Sequence, residues 1–272
     1  MGTLFLVATP IGNLEDVTLR ALRTLKEVDL IAAEDTRTTR KLLSHYDVHT
    51  PLTSYNDRNK RSKTSVILAK LAEGDVALVS EAGMPAISDP GQDLVRAAYA
   101  AGVPVAPVPG PSAITTALAA SGLPTRAFTY LGFLPRQATE RRRLLQSLAG
   151  REETVVAFEA PHRLRRTLAD IEQALGDRDI AVCRELTKLY EEVFRGRLSD
   201  ALHHFAEPRG EFTLVIAGAA TPSADEAVPP EVIAEMRRLR NEGVGAQAAT
   251  AQLSRRYGLP RRRLYRLWLS LA

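Results

Sequence analysis

Three short apolar runs that end abruptly in glycine and proline constrain this chain more than anything else in it. Residues 4–8 break into Thr9-Pro10-Ile11-Gly12-Asn13, and residues 76–79 into Ser80-Glu81-Ala82-Gly83-Met84-Pro85. A run around Val105 breaks into Pro109-Gly110-Pro111-Ser112. Apolar runs of this length, bounded by such breakers, read as buried strands. Between them lie stretches of helical period, over about 17–26, 64–71 and 91–101. Asp16 is the expected N-cap of the first of these. Asp35 or Thr36 should cap a helix running to Tyr46, and Ser112 an alanine-rich helix to Ala120. With strand candidates at 29–33 and 52–55, the alternation predicts an α/β unit whose mostly parallel sheet is covered on both faces. Open sheets of that kind keep ligands at the carboxyl ends of inner strands, where glycine leaves the main chain open to close approach. Asp35, Glu81 and Asp89 each follow an inner strand and carry the most functional weight among the acidic residues.

After Gly122-Leu123-Pro124 the pattern changes. Strand candidates at 128–131, 154–158, 180–184, 190–194 and 212–217 mix with helices at 139–148, 162–175 and 200–205, which predicts a mixed second domain. The domains expected are 1–121 and 122–218, a small, polar, proline-rich linker at 219–230, and a helical tail at 231–272. In the tail, Val232, Met236 and Leu239 form one apolar stripe, Ala246, Ala249 and Leu253 a second, and Leu264, Leu267 or Trp268, and Leu271 a third. Tyr257-Gly258-Leu259 followed by Pro260 at a first helical position is a stop–start signal. Three short helices, the last rich in arginine, fit a helix-turn-helix-like unit.

Several chemistries lack their signatures. No Gly-x-Gly-x-x-Gly, Walker Gly-Lys-Ser/Thr or His-Glu-x-x-His occurs, and the histidines are scattered, so no metal site is expected. The one cysteine, Cys183, lies in a strand-like run and reads as a core residue. The start of the chain lacks a basic leader and no stretch reaches membrane-spanning length, so a soluble, cytoplasmic protein with no membrane partner is expected. The formal charge of +4 says little, but arginines cluster at 141–143, 237–240, 255–256 and 261–266. Such clusters suit phosphate backbones. On the residues alone, a cofactor-using enzyme and a nucleic-acid-binding protein with a ligand-sensing body both stand.

A family resemblance runs through these motifs. Leu6-Val7-Ala8-Thr9-Pro10-Ile11-Gly12-Asn13-Leu14 is followed in order by Ala32-Ala33-Glu34-Asp35-Thr36-Arg37, the 79–91 stretch, and Pro109-Gly110-Pro111-Ser112-Ala113. Then come Gly132-Phe133-Leu134-Pro135, Phe158-Glu159-Ala160-Pro161-His162-Arg163, Arg184-Glu185-Leu186-Thr187-Lys188 and Gly210-Glu211-Phe212-Thr213-Leu214-Val215. Together, from residue 3 to about 217, they resemble the bacterial small-subunit ribosomal RNA methyltransferase I family, and the last forty residues resemble the helix-turn-helix tail often attached to it. The resemblance implies a tetrapyrrole-methylase-like fold of two α/β domains, with S-adenosylmethionine in the cleft between them, usually as a homodimer. It implies methyl transfer to the ribose 2′-hydroxyl of a cytidine in the decoding region of 16S rRNA, within the small ribosomal subunit. The nearest rival is a methylase of small tetrapyrroles using the same cleft.

The resemblance implies that Pro10, Gly12, Glu81, Ala82, Gly83, Met84, Pro85, Ser112 and Ala113 line the cofactor cleft, with some of Phe158, Glu159, Leu186 and the Glu211–Phe212 neighbourhood from the second domain, largely through main-chain groups. The family segment usually reads Ser-Asp-Ala-Gly-Thr-Pro. Here Glu81 keeps a carboxylate of longer reach, whereas Met84 has no hydroxyl. The connection that often carries a histidine reads Tyr55-Asn56-Asp57-Arg58-Asn59, so no histidine proton acceptor is carried over. An alcohol must lose its proton as it attacks, which calls for a base or a stabiliser of the developing alkoxide. Asp35, Asp89, Glu185 and Lys188 are the candidates, with Asn13, Arg37 and Arg184 positioning ribose or phosphate. Arg141 to Arg143 and the third tail helix are expected to contact the RNA backbone.

Overall fold

The computed structural model describes residues 1–219 and 229–271. In chain order the first half comprises β1 (Leu4–Val7), α1 (Leu19–Glu27), β2 (Leu30–Ala33), α2 (Thr36–His45), β3 (Leu52–Ser54), α3 (Lys60–Glu73), β4 (Val76–Val79), α4 (Gln92–Ala100), β5 (Val105–Val108) and α5 (Ala113–Ser121). The five strands form one sheet in the order β3-β2-β4-β1-β5, every pair parallel. Alternation along the strands fills both faces. Val7, Ile31, Ala33, Ala77 and Val79 pack towards α1 and α2 through Ala21, Leu25 and Leu43. Leu4, Ala32, Val76 and Leu78 pack towards α3 and α4 through Ile67, Leu71, Leu94 and Ala98.

The second half comprises β6 (Phe128–Phe133), α6 (Ala138–Gln146), β7 (Thr154–Glu159), α7 (Pro161–Leu175), β8 (Asp179–Arg184), β9 (Glu192–Arg197), α8 (Leu198–His204) and β10 (Phe212–Ile216). Its sheet runs β6-β7-β10-β8-β9, with β6 parallel to β7 and the other pairs antiparallel. One face, with Val155, Ala157, Ile180, Val182, Leu214 and Ile216, packs on its own helices. The other, with Val156, Ala181, Cys183 and Val215, packs on Ala117 and Leu118 of α5 and on Ile11 and Leu186. Helix α5 therefore belongs to both halves, and residues 1–219 form one compact unit. Burial pushes the Cys183 thiol up to about 11, in keeping with a core position.

The tail forms a second unit with its own core. Helices α9 (Pro230–Asn241), α10 (Ala246–Tyr257) and α11 (Arg261–Ser270) bury Val232, Met236, Leu239, Ala249, Leu253, Leu264 and Trp268 against one another. Gly258 ends α10 at φ +69°, a left-handed conformation glycine adopts freely. Positions 220–228 of the expected linker lie outside the described residues. Among the described residues no helix is long and apolar enough to cross a membrane.

Local departures from expectation have local causes. Thr18, not Asp16, caps α1, its hydroxyl accepting from the Ala21 amide at 3.0 Å. Asp16 is held one turn earlier, in a 3-10 turn over Leu14–Asp16 that Asn13 caps through the Glu15 amide. Helix α3 starts at Lys60, ahead of the apolar stripe that signals it. Ser112 stands at the cap position of α5 without a side-chain cap bond. Pro260 is the N-cap of α11 rather than its first residue.

Candidate functional site

The order of the first sheet creates the site. From β1 the chain crosses the α1 face towards β2, while from β4 it crosses the α4 face towards β5. Neighbouring strands thus send their exits to opposite faces and leave a crevice at their carboxyl ends. The three glycine–proline turns meet there, as expected. Thr9 and Gly83 exchange main-chain hydrogen bonds of 2.9 and 3.0 Å, and the Ala8 amide donates to Val108 at 3.1 Å. A Cβ built on Gly83 would lie 3.6 Å from Ile11 Cγ2 and 3.7 Å from the Pro111 carbonyl.

Two loops around this crevice carry strained backbone. Among the described residues other than glycine, five have positive φ. Four of them are Ala86 (68°) and Ser88 (63°) between β4 and α4, and Glu185 (49°) and Thr187 (67°) between β8 and β9. Each such residue costs roughly 1–3 kcal/mol and persists where surrounding structure over-determines it, commonly at functional sites. The surroundings are visible here. Ser88 Oγ pairs with Tyr130 Oη at 2.7 Å, joining the first loop to β6. The Glu185 carboxylate accepts from the Glu211 amide at 2.8 Å and from Lys188 Nζ at 3.1 Å, and Lys188 also reaches Glu211 at 2.9 Å. These contacts hold Glu185 below the usual carboxylate range despite its burial, and hold Lys188 above the usual amine range. The clamped turn lies against the first half: a Cβ on Gly12 would stand 2.5 Å from Lys188 Cγ, 2.9 Å from Thr187 Oγ1 and 3.0 Å from the Leu186 carbonyl.

The carboxylates divide sharply. Asp35 caps α2, accepting from the Arg37 amide at 2.7 Å and from its guanidinium at 2.8 Å. The Arg37 side chain and then its amide pull Asp35 down to about 2. Asp35, a catalytic candidate from the sequence, is thus engaged as the cap of α2 and as the partner of Arg37, which makes it a weaker base than an ordinary carboxylate. Asp89 behaves oppositely. Burial, then the neighbouring Glu34 carboxylate, pushes its carboxyl up to about 7, with the Ser80 hydroxyl easing it down and Glu81 adding repulsion. Glu34 is raised too, by burial first and by the Glu81, Asp57 and Asp35 charges, although the Glu81 amide donates to it at 3.2 Å. Thr38 reaches Glu81 at 3.4 Å. A half-buried carboxyl poised near neutrality in the loop between β4 and α4 is suited to proton transfer.

Other expected residues are committed elsewhere. Glu159 is buried at 1% exposure, and its oxygens accept from the Ala160 amide and Thr167 hydroxyl and pair with Arg163 at 3.3 Å. The Phe212 side chain lies in the core of the second half. Their side chains are structural, which leaves main-chain groups as what either residue can offer the cleft. Arg184, expected to position ribose or phosphate, ties sheet edge to loop, donating to the Arg209 carbonyl and to Glu192. Arg141, expected on RNA, is buried against Asp170, which also takes Arg142. Asn13 remains exposed at the rim, its carbonyl oxygen occupied as a cap. Sequence reasoning misses Glu34, Ser88 and Tyr130 as site residues. Glu34 is visible as the first polar residue after an inner strand, but the Ser88–Tyr130 pair joins residues 42 apart and leaves no signal in spacing.

What could occupy this crevice follows from its lining. Gly12, Gly83 and Gly110 open main-chain groups, the Met84 side chain is partly exposed beside them, and the buried Ile11 side chain packs next to Gly83. Among the described residues Thr187 Oγ1 is buried without a hydrogen-bond partner, directly beside Gly12. An unpaired buried hydroxyl is costly, so the lining suits a compact ligand carrying both polar and apolar parts.

Comparisons with known proteins fit this architecture. The family model of tetrapyrrole (corrin/porphyrin) methylases matches residues 3–202. Ribosomal RNA small subunit methyltransferase I of Synechocystis sp. is 50% identical over 275 residues, taking in 100% of this chain and 99% of the relative. The protein of that name from Thermotoga maritima is 53% identical over 221 residues, 80% of this chain and 99% of the relative. Uroporphyrin-III C-methyltransferase from Thermus thermophilus, solved in complex with S-adenyl homocysteine, matches with a TM-score of 0.57 at 20% identity, over 79% of this chain and 97% of that one. The last likeness speaks to the fold, a two-domain tetrapyrrole-methylase-like architecture, and the sequence relatives speak to the branch within it. This chain belongs to the ribosomal RNA small subunit methyltransferase I family of the tetrapyrrole methylases.

Proposed function

We propose that the protein transfers a methyl group from S-adenosylmethionine to the ribose 2′-hydroxyl of a cytidine in the decoding region of 16S rRNA, within the assembled small subunit. The observation that carries the reading is Asp89: a carboxyl held near neutrality, on a strained loop, at the crevice where three glycine-opened strand ends meet. Pro10, Gly12, Glu81, Ala82, Gly83, Met84, Pro85, Ser112 and Ala113 of the first half, with Phe158, Leu186 and Glu211 of the second, would hold the cofactor, largely through main-chain groups. When bound, it supplies an electrophilic methyl on a cationic sulfonium.

The chain's own work is positioning and proton removal. In its ionised form Asp89 accepts the proton that the 2′-hydroxyl loses as its oxygen attacks. Burial, with the Glu34 and Glu81 charges, keeps the carboxyl basic enough at neutral pH, and the Ser88–Tyr130 bond fixes the loop that presents it. The Glu185–Lys188–Glu211 clamp sets the opposite wall. In this reading residues 1–121 and 122–218 are the two halves of the cleft, the cytoplasm is the site of action, and the working form is a homodimer. The test is mass-spectrometric mapping of methylated nucleotides after incubation with unmethylated small subunits. A single new 2′-O-methylcytidine in 16S rRNA is expected. No new modification there, with methyl transfer to precorrin-type substrates instead, refutes the assignment.

A further inference from the structure

A basic cavity of about 700 Å³ lies beside the second sheet, lined by Phe133, Arg136, Arg141, His162, Arg163 and Arg166. Its basic side chains fall into two sets. Arg141 and Arg163 build the wall: Arg141 donates to the Pro135 and Arg136 carbonyls, and Arg163 to those of Leu134 and Pro135. Arg136, His162 and Arg166 are exposed, and among the described residues their side chains have no hydrogen-bond or ion-pair partner. A framework that fixes one loop while leaving two guanidinium groups unpaired is suited to anions. Phe133 stands at the mouth with 60% of its surface exposed, an unusual position for a phenylalanine.

The cavity is connected to the crevice. Phe133 packs edge-on to Phe158 at 5.6 Å between ring centroids, and Phe158 to Tyr130 at 5.3 Å. Tyr130 bonds Ser88, the residue before Asp89. A strand of RNA with its reacting ribose at Asp89 would find, two ring contacts away, an exposed aromatic face backed by unpaired arginines. Single strands are bound by that combination of base stacking and backbone charge.

We infer that this cavity holds two consecutive backbone phosphates flanking the target in single-stranded rRNA, with the base of the nucleotide between them stacked on Phe133. The assignment rests on the rRNA reading above and names where the substrate strand runs. The test uses the full chain, with undermethylated small subunits and protein-free 16S rRNA as probes. R136A/R166A should weaken binding to both about tenfold or more, and make the dependence of log affinity on log salt shallower by about 1.4, as expected when two phosphates of a single strand are no longer neutralised. F133A should weaken binding roughly fivefold or more with the salt slope unchanged. R96A, on exposed α4 surface, should change neither. Calorimetry with S-adenosylhomocysteine, unchanged from wild type, certifies that each variant is folded. Should F133A not fold, F133L removes the ring and gives the same reading. Unaltered affinity and slope in R136A/R166A overturn the inference. So does a loss seen with particles but not with bare rRNA, which would make a ribosomal protein the occupant. If the wild-type chain binds neither probe, the rRNA reading itself fails and this one falls with it.

Discussion

Replacing Asp89 by asparagine should make the protein more stable and inactive, and the gain in stability should depend on pH. In the folded state the Asp89 carboxyl sits at about 7 against an ordinary 3.8. Its folded value is raised, so between pH about 4 and 7 the folded chain keeps a proton that the unfolded chain has released. Stability therefore falls as pH climbs through that window, and the whole penalty is present above it. Taken at face value the gap corresponds to roughly 4 kcal/mol. Asp89 is only half-buried, and screening by water reduces this to about 2 kcal/mol. For a folding unit of this size that is a rise of roughly 4–8 °C in melting temperature for D89N at pH 8, shrinking to nothing near pH 4. Thermal melts of the wild type and D89N across pH 4–8 read this directly. Single-turnover methylation by the wild type should rise with pH up to about 7 and be lost in D89N. Melting curves that stay parallel at every pH, or methylation that survives in D89N, would refute the role given to this carboxyl.

Gly12→Ala should lower affinity for S-adenosylhomocysteine at least tenfold in calorimetry, because its Cβ would press on Lys188 Cγ at 2.5 Å and the Leu186 carbonyl at 3.0 Å and shift the clamped turn. Arg141→Met should destabilise the protein by about 3 kcal/mol in urea melts, since both Arg141 and Asp170 side chains are 6% exposed and the carboxylate loses a buried partner. Asp170 is held below the usual carboxylate range, by Arg142 and Arg141 outweighing its burial. Its contribution is accordingly present at neutral pH and lost on acidification, the opposite of Asp89. Asp35→Ala should lower the melting temperature slightly, through loss of the α2 cap, and leave the single-turnover rate intact.

Much of the first half was legible because its signals are local. Four apolar residues from Val76 to Val79 followed by a polar break make a strand whatever lies around them, and the structure ends the strand at Val79. Convergence of Gly12, Gly83 and Gly110 also followed from strand–helix alternation alone. The roles of individual charges did not, because they depend on partners distant in sequence. Asp35 and Asp89 look alike as acidic residues after inner strands, yet one is paired with Arg37 two residues on and the other is buried within reach of the Glu34 charge, 55 positions earlier in the chain. Arg141 and Arg142 look alike on a basic helix, but α7 supplies Asp170 to bury one and leave the other about half exposed. Glu159 reads as a polar strand end, and only the packing of β7 on its own helix makes it an internal anchor.

Helix α5 contributes Ala117 and Leu118 to a layer that the second sheet also needs. Prising the halves apart would strip apolar surface from both at once, so the cleft has no inexpensive hinge. Admission of a bulky ribosomal target must then be managed by side chains and by the two rim loops. The methyl donor's berth would keep the same width whether or not rRNA is engaged. Amide exchange would report it as one block, with α5 protons released only when sheets one and two melt together.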